Sequence, residues 1–374
     1  MSEVNRRAQA WARTMAGHSD GAVVRAHAAA GSAMTVGVVQ AREQREAWEA
    51  AWLRPGATLA HGAGNRARAE EADPQRTCFE RDRDRIVHST AFRRLAGKTQ
   101  VVVYPTDHQR TRLTHALEVA QVATAIARGV GVNVTLTDAI ALGHDCGHGP
   151  GGHASEEAFD AFLPEGYHHG AWGADVVLAD LNLCTETLDG IRNHSWSSPT
   201  PSTIEGEIVS WADRIAYCAH DLEDAVAAGI VSPQDLPAVV VDVAGRTRSD
   251  QLGVFIESVI AATTQTGTVG MFGEPAAALA ELRAFNYQRI YTREESLAQA
   301  AAVIDVLRAL VAYFAEHPTH MPPDFHQGVL IGADPVRAAV TYVAGMTDRY
   351  AFETAIDHLG WNPDRVPRGI GRGA

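Results

Sequence analysis

The 374-residue chain carries 32 Lys and Arg against 45 Asp and Glu, a net charge of −13 that repels nucleic acid and phosphate ligands unless positive charge or a metal is supplied locally. Apolar residues make up 46% and charged residues 21%, a globular balance with ample material for a core, and no apolar run approaches the roughly 20 residues of a membrane span. Cys78, Cys146, Cys184 and Cys218 form no CxxC pair, which argues against finger-type zinc and against a disulfide framework.

Residues 1–40 are rich in Ala, Gly and Arg, show no sustained period and read as a mobile extension, part of it upstream of a natural start at Met34. The opening "MSEVNRRAQAWARTMAGHSDG" lacks the apolar stretch of a signal peptide, so a cytoplasmic protein with no membrane partner is the simplest expectation. "REQREAWEAAW" predicts a short helix and "HGAGNRARAEEADPQRT" a loop. Strand signals are confined to "QVVVYP" at 100–105 and "AVVVDVA" at 238–244. Helical periodicity dominates the rest. "LTHALEVAQVATAIARGVG" places Leu113, Ala116, Leu117, Ala120, Thr124 and Ala127 on one face. "TLTDAIALGHD" predicts a second helix with Thr137 as N-cap. "STIEGEIVSWADRIAYCAHDLEDAVAAG" spaces Ile208, Trp211, Ile215, Ala219 and Leu222 as a third, closing at Gly229. "AAALAELRAFNYQRIY" and "AQAAAVIDVLRALVAYFAEH" complete an all-α expectation with an appended helical C-terminal region. The expected divisions are an extension over 1–40, a core over 41–235, and a region over 236–374 that completes the pocket and supplies oligomer contacts.

The chemistry concentrates in "HDCGHGPGGHASEE", residues 144–157, where imidazoles and carboxylates crowd a glycine-rich backbone poorly suited to a regular helix. His115 lies on the first of the long helices, His144 and Asp145 end the second, and Asp213 lies within the third. Imidazole nitrogen and carboxylate oxygen together suit a borderline or hard divalent ion such as Mn, Fe, Co, Ni, Zn or Mg. Singly, each histidine is better read as a core or surface residue, and Asp213 beside Arg214 as a helix-face ion pair. The cluster of His144, Asp145, His148, His153 and Glu156 beside its glycines is better read as a site.

Four blocks in order carry a resemblance: "FERDRDRIVHSTAFRRLAGKTQV", "RTRLTHALEVAQVATAIA", "AIALGHDCGHGPGGHASEEAFD" and "EGEIVSWADRIAYCAHDLEDA". The chain resembles HD-domain deoxynucleoside triphosphate triphosphohydrolases of the bacterial dGTPase-like type, from about "REQREAWEAAW" to "RIY" at 291. The resemblance implies an all-α HD fold. It makes His115, His144, Asp145 and Asp213 ligands of a divalent metal, Mn or Mg first, the same quartet that residue chemistry singles out. It places a catalytic histidine and its acidic partner on His153 and Glu156, with His148 lining the same pocket. The implied reaction is hydrolysis of a dNTP at the α-phosphate to deoxynucleoside and triphosphate, by a homo-oligomer that in some relatives responds to a dNTP effector.

Arg112 lies three residues before His115 and Arg214 beside Asp213; the resemblance to the family's eukaryotic members implies that both touch phosphates, with surface charge as the competing reading. Tyr217 and Asp221 follow Asp213 at i+4 and i+8 and resemble sugar contacts, although a structural face has the same spacing. Gln100 and Tyr287 are candidates to approach sugar or base. His169 of "GYHHGAWG" is the expected further pocket histidine, with His168 as the competing assignment. That stretch departs from the family's His-Asn-Glu-Gln pattern, and Gly151 stands where many relatives carry Phe, which puts base selectivity and loop rigidity in doubt. "RDRDRIVHSTAFRRL" is basic enough for weak nucleotide or nucleic-acid contact and equally suits a salt-bridged helix. The competing functions are an HD phosphohydrolase acting on nucleoside monophosphates or cyclic nucleotides, and a nucleotide-sensing or nucleic-acid-binding protein with little turnover.

Overall fold

The computed structural model describes residues 3–15, 17–19, 21–29, 31–101 and 109–367, which divide into two compact units, 1–40 and 41–374. The first unit carries helix α1 (Glu3–Thr14) and a minimal antiparallel pair, β1 (His18–Ser19) with β2 (Val24–Arg25). Its helix is structure that the missing hydrophobic period did not predict.

The second unit is helical: α2 (Arg42–Trp52), α3 (Cys78–His88), α4 (Thr90–Arg94), α5 (Arg112–Val130), α6 (Val134–Gly143), α7 (His153–Asp160), α8 (His169–Trp172), α9 (Thr185–Asn193) and α10 (Ile204–Ala227). They are followed by α11 (Ala238–Ala244), α12 (Arg248–Thr266), α13 (Gly273–Asn286), α14 (Glu294–Glu316), α15 (Pro323–Leu330), α16 (Pro335–Ala344) and α17 (Asp348–Leu359).

Local chemistry explains most boundaries. The Thr77 side chain accepts the Glu80 N–H while Glu80 accepts that of Thr77, a reciprocal cap that starts α3. α5 ends on Gly131 in the left-handed conformation, φ 86°. α6 is capped by Asn133, whose Oδ1 accepts from the amides of Thr135 and Leu136. Thr137, expected as that cap, is buried inside the helix and donates to Asn133 O. The misreading arose because Val134, Thr135 and Leu136 look like lead-in residues, whereas they form the first turn.

The strand expected at 238–244 is α11. Its valines favour a strand by propensity, but a strand needs a partner, and no strand is described beside it among the described residues of this unit. As a helix it satisfies its own backbone and buries Val240 and Ala244, four apart, between Pro237 and Gly245. Of the strand expected at 100–105, Gln100 and Val101 form a bend and residues 102–105 lie outside the described residues.

Two apolar clusters organise the unit. One is built around α3, α5, α6, α10, α12 and α13, with α5 packed on both α6 and α10. Ala116, Ala120, Thr124 and Ala127 face it as expected, whereas Leu117 is 51% exposed. The other gathers α7, α14, α16 and α17. α14 corrects the reading that no segment approaches a span: it has 23 residues and an 18-residue window of mean hydropathy 1.6. Its stripe of Val303, Leu307, Leu310 and Phe314 is buried in the second cluster, at about 1.5–3 kcal/mol for each side chain. The segment from His144 to His153 leaves the first cluster at the end of α6 and enters the second at the start of α7.

Candidate active site

A cavity of about 500 Å³ opens between the two clusters and is lined by Gln100, Arg112, His115, Asp145, His148, His153, His169, Asp213, Arg214, Tyr217, Asp221 and Tyr287. His144 and Glu156 lie directly behind that lining. The structure thus brings together every residue singled out from the sequence. At 168–169, His169 is buried in the cavity wall and His168 is not.

α6 stops at Gly143, and the chain turns through Cys146 N–H to Gly143 O and His148 N–H to Asp145 O. His144 and Asp145 consequently converge with His115 from α5 and Asp213 from α10. His115 Nε2 is 3.1 Å from Asp213 Oδ1, and His144 Nε2 is 3.4 Å from Asp145 Oδ1 and 3.7 Å from Asp213 Oδ1. His144 Nδ1–H donates to Ala141 O at 2.6 Å, which fixes Nε2 as a bare lone pair. That nitrogen is buried and has no hydrogen-bond partner. A lone pair facing two carboxylate oxygens is a poor arrangement for protein alone and a good one for a divalent cation, so the donor set fits.

The carboxylates are prepared for that charge. Burial opposes ionisation of Asp145, but the Arg112 guanidinium and the hydrogen bond with His148 outweigh it and hold the carboxyl well below its usual range. Burial likewise opposes ionisation of Asp213, and is outweighed chiefly by the His115 hydrogen bond. Burial, with Arg112 and His169 beside it, keeps His148 well below the ordinary histidine value, hence neutral near pH 7.

Next to this cluster, Glu156 bridges two imidazoles. His153 Nδ1 lies 3.2 Å from its Oε2 and His169 Nδ1 lies 2.5 Å from its Oε1. Glu156 is three residues into α7, so the i,i+3 spacing places it under His153. This part of the stretch is helical after all: glycine-rich backbone runs only to Gly152. Gly147 allows close approach, because a Cβ there would lie 2.0 Å from His169 O. Gly151 has φ 72°, and a Cβ there would lie 2.5 Å from Val303 Cγ1, so α14 already fills the space of a larger residue.

Positive charge in the cavity is only partly spent. Arg112 is 2% exposed and donates one Nη1 bond to Asp145 at 2.7 Å, while its buried Nε and Nη2 have no protein partner. Arg214 makes no ion pair among the described residues and instead stacks on Trp196, Cζ 3.3 Å from the ring centroid. Tyr217 Oη accepts from Arg283 Nε at 2.9 Å, and Tyr291 Oη donates to Asp221 Oδ2 at 2.5 Å. By contrast, the basic block in α3 is largely neutralised: Arg81 and Arg85 pair with Glu70, and Arg83 with Asp138.

Four pocket residues were missed. His194 lies 3.0 Å by Nε2 from His169 Nε2 and donates Nδ1–H to Ile191 O. It repeats the device of His144, a histidine one position past a helix end bonded to the carbonyl three residues back, and "RNHS" beside "LGHD" was the available signal. Arg283 and Tyr291 flank Tyr287 at four-residue spacing, a face that was readable. Trp196 had no local signal.

Residues 112–218 match the HD domain family and residues 269–356 the phosphohydrolase-associated domain. A deoxyguanosinetriphosphate triphosphohydrolase-like protein from Caldanaerobacter subterraneus is 40% identical over 84% of this chain and 94% of its own length. Proteins of the same description from Clostridium tetani and Clostridium perfringens are 36% and 37% identical over 85% and 83% of this chain, and 96% and 94% of their own. With its helical fold, its His-Asp centre at the end of α6 and relatives matched along nearly their whole length, the chain belongs to the HD-domain deoxyguanosinetriphosphate triphosphohydrolase-like family.

Proposed function

We propose that this metal-dependent phosphohydrolase cleaves deoxynucleoside triphosphates at the α-phosphate, releasing deoxynucleoside and inorganic triphosphate. The observation that carries the reading is the junction, in one cavity, of a His-Asp cation site with two arginines whose donors are unspent. A monophosphate or cyclic ester gives no use for both guanidiniums, whereas a triphosphate does.

His115, His144, Asp145 and Asp213 hold the cation. When bound, it supplies Lewis-acid stabilisation of charge on a phosphoryl oxygen. Arg112 donates Nε and Nη2 to phosphate oxygens, and Asp145 keeps its fork in the plane that allows this. Arg214 meets the polyphosphate from the opposite wall. Glu156 accepts His153 Nδ1–H, which leaves the Nε2 lone pair to take a proton from the attacking water and to pass it to the 5′-oxygen as the bond between that oxygen and the α-phosphorus breaks. His148, kept neutral, orients water without adding a competing positive charge. Tyr217, Asp221, Gln100 and Tyr287 contact sugar and base, and His169 holds Glu156 in place.

The decisive experiment is product analysis by ion-exchange chromatography with each of the four dNTPs, singly and mixed, in Mn and in Mg. Deoxynucleoside with intact triphosphate is the expected result. Phosphate or pyrophosphate as the direct product assigns another phosphohydrolase reaction, and absence of any product assigns a sensing role.

A further inference from the structure

We propose that Asp348 and Lys98 are positioning residues that latch the loop 147–152 to the C-terminal helices and thereby set His148 and His153 against the cation site. The inference rests on reading that loop as catalytic. Asp348, the first residue of α17, is 3% exposed; each of its oxygens accepts a backbone N–H, and the Thr99 side chain hydrogen-bonds the same carboxylate. Oδ1 accepts Gly151 N–H at 2.8 Å and Oδ2 accepts Thr99 N–H at 2.9 Å. Lys98, also 3% exposed, donates from Nζ to His148 O and, at 2.9 Å, to Ala344 O at the end of α16. Its own carbonyl accepts the Arg112 N–H at 3.1 Å.

Two buried charged side chains therefore tie the end of α16 and the start of α17 to the peptide groups at 148 and 151, and to the segment that precedes α5. Two further neighbours crowd the loop. Val303 of α14 blocks Gly151, and Arg112 Nη2 would lie 2.7 Å from a Cβ on Gly152. Apart from these bonds, α14, α16 and α17 are joined through their own apolar cluster. What the bonds add is a fixed path for the backbone that carries His148 and leads into His153. An error of about 1 Å in that path is enough for a loss of about 100-fold in rate.

The test is Asp348→Asn, which keeps the volume but replaces one acceptor oxygen with a donor that faces an N–H. We expect kcat to fall by about 10- to 100-fold with KM changed less than about twofold. Bound metal per chain should be unchanged. Amide hydrogen exchange should rise in peptides covering 147–152 and stay constant in 300–316. Phe352→Leu, buried one turn after Asp348 on the same helix and a partner in neither of that residue's loop bonds, provides the comparison: it should lower Tm and leave kcat and loop exchange at wild-type levels. Unchanged kcat and loop exchange in Asp348→Asn would overturn the latch, as would an equal loss of kcat in Phe352→Leu at matched Tm. Loop exchange is read without substrate, so a wild-type protein that fails to hydrolyse dNTPs refutes the proposed function and leaves the latch decided on its own terms.

Discussion

Asp221→Asn isolates the energetic cost of one buried carboxylate. Asp221 is 3% exposed on α10; Tyr291 Oη donates to one of its oxygens and the other has no hydrogen-bond partner. Burial pushes the carboxyl from its ordinary 3.8 up to about 7. Asp224 reinforces that rise, and the Tyr291 hydrogen bond, His115 and Arg110 oppose it without cancelling it. The folded chain therefore binds this proton more tightly than the unfolded chain does. Stability is full below the unfolded value, falls as pH rises between about 4 and 7, and stays at its reduced level above that. The interval from 3.8 to about 7, at about 1.4 kcal/mol per pH unit, sets an upper bound of about 4 kcal/mol. Water penetration and local relaxation reduce such penalties, so we expect about 2 kcal/mol. Asparagine can still accept the Tyr291 hydrogen bond and carries no charge. Urea unfolding in chelator at pH 5 and pH 8 should show the variant gaining about 2 kcal/mol on wild type across that step. The same pH dependence in both proteins would refute the reasoning.

His153→Ala should abolish most turnover with metal content near wild type, whereas Asp213→Ala should lower metal occupancy; elemental analysis beside product assays separates them, and the opposite pattern would exchange their roles. Arg112→Gln should raise KM for a dNTP by about 10- to 100-fold, the value of a charge-assisted hydrogen bond to phosphate, measured by steady-state kinetics. Trp196→Leu should raise KM through loss of the surface on which Arg214 stacks, with Trp196→Phe restoring part of the about 0.5–2 kcal/mol involved; equal KM values in both would remove the stack from binding. Gly151→Ala should destabilise by about 2–4 kcal/mol, from a left-handed φ and a clash with Val303, and adding Val303→Ala should recover the clash component in thermal unfolding.

The candidate cluster was legible because its members stand near helix ends and repeat in short spacings. His144 and Asp145 terminate an apolar periodic run, His153 and Glu156 are one turn apart, and Asp213, Tyr217 and Asp221 share a helical face. His194, Trp196, Arg283 and Tyr291 come from segments that only packing carries to the same cavity. The mistaken strand over Ala238–Ala244 has the same origin, since β-branched residues state a preference that a missing partner overrules.

Composition, helical period and the ordered motifs determined by themselves an all-α chain of this family and the residue types able to hold a divalent cation beside phosphate. Tertiary structure decided which of those donors remain unspent. Arg112 keeps two free N–H edges because Asp145 takes only one, and His144 offers its Nε2 because Ala141 O takes the other proton. It also decided that Asp348, some two hundred residues away in the chain, holds the loop at Gly151. Hydrogen-bond saturation and burial are properties of neighbours in space, and linear spacing reports them only within a turn or two of one helix.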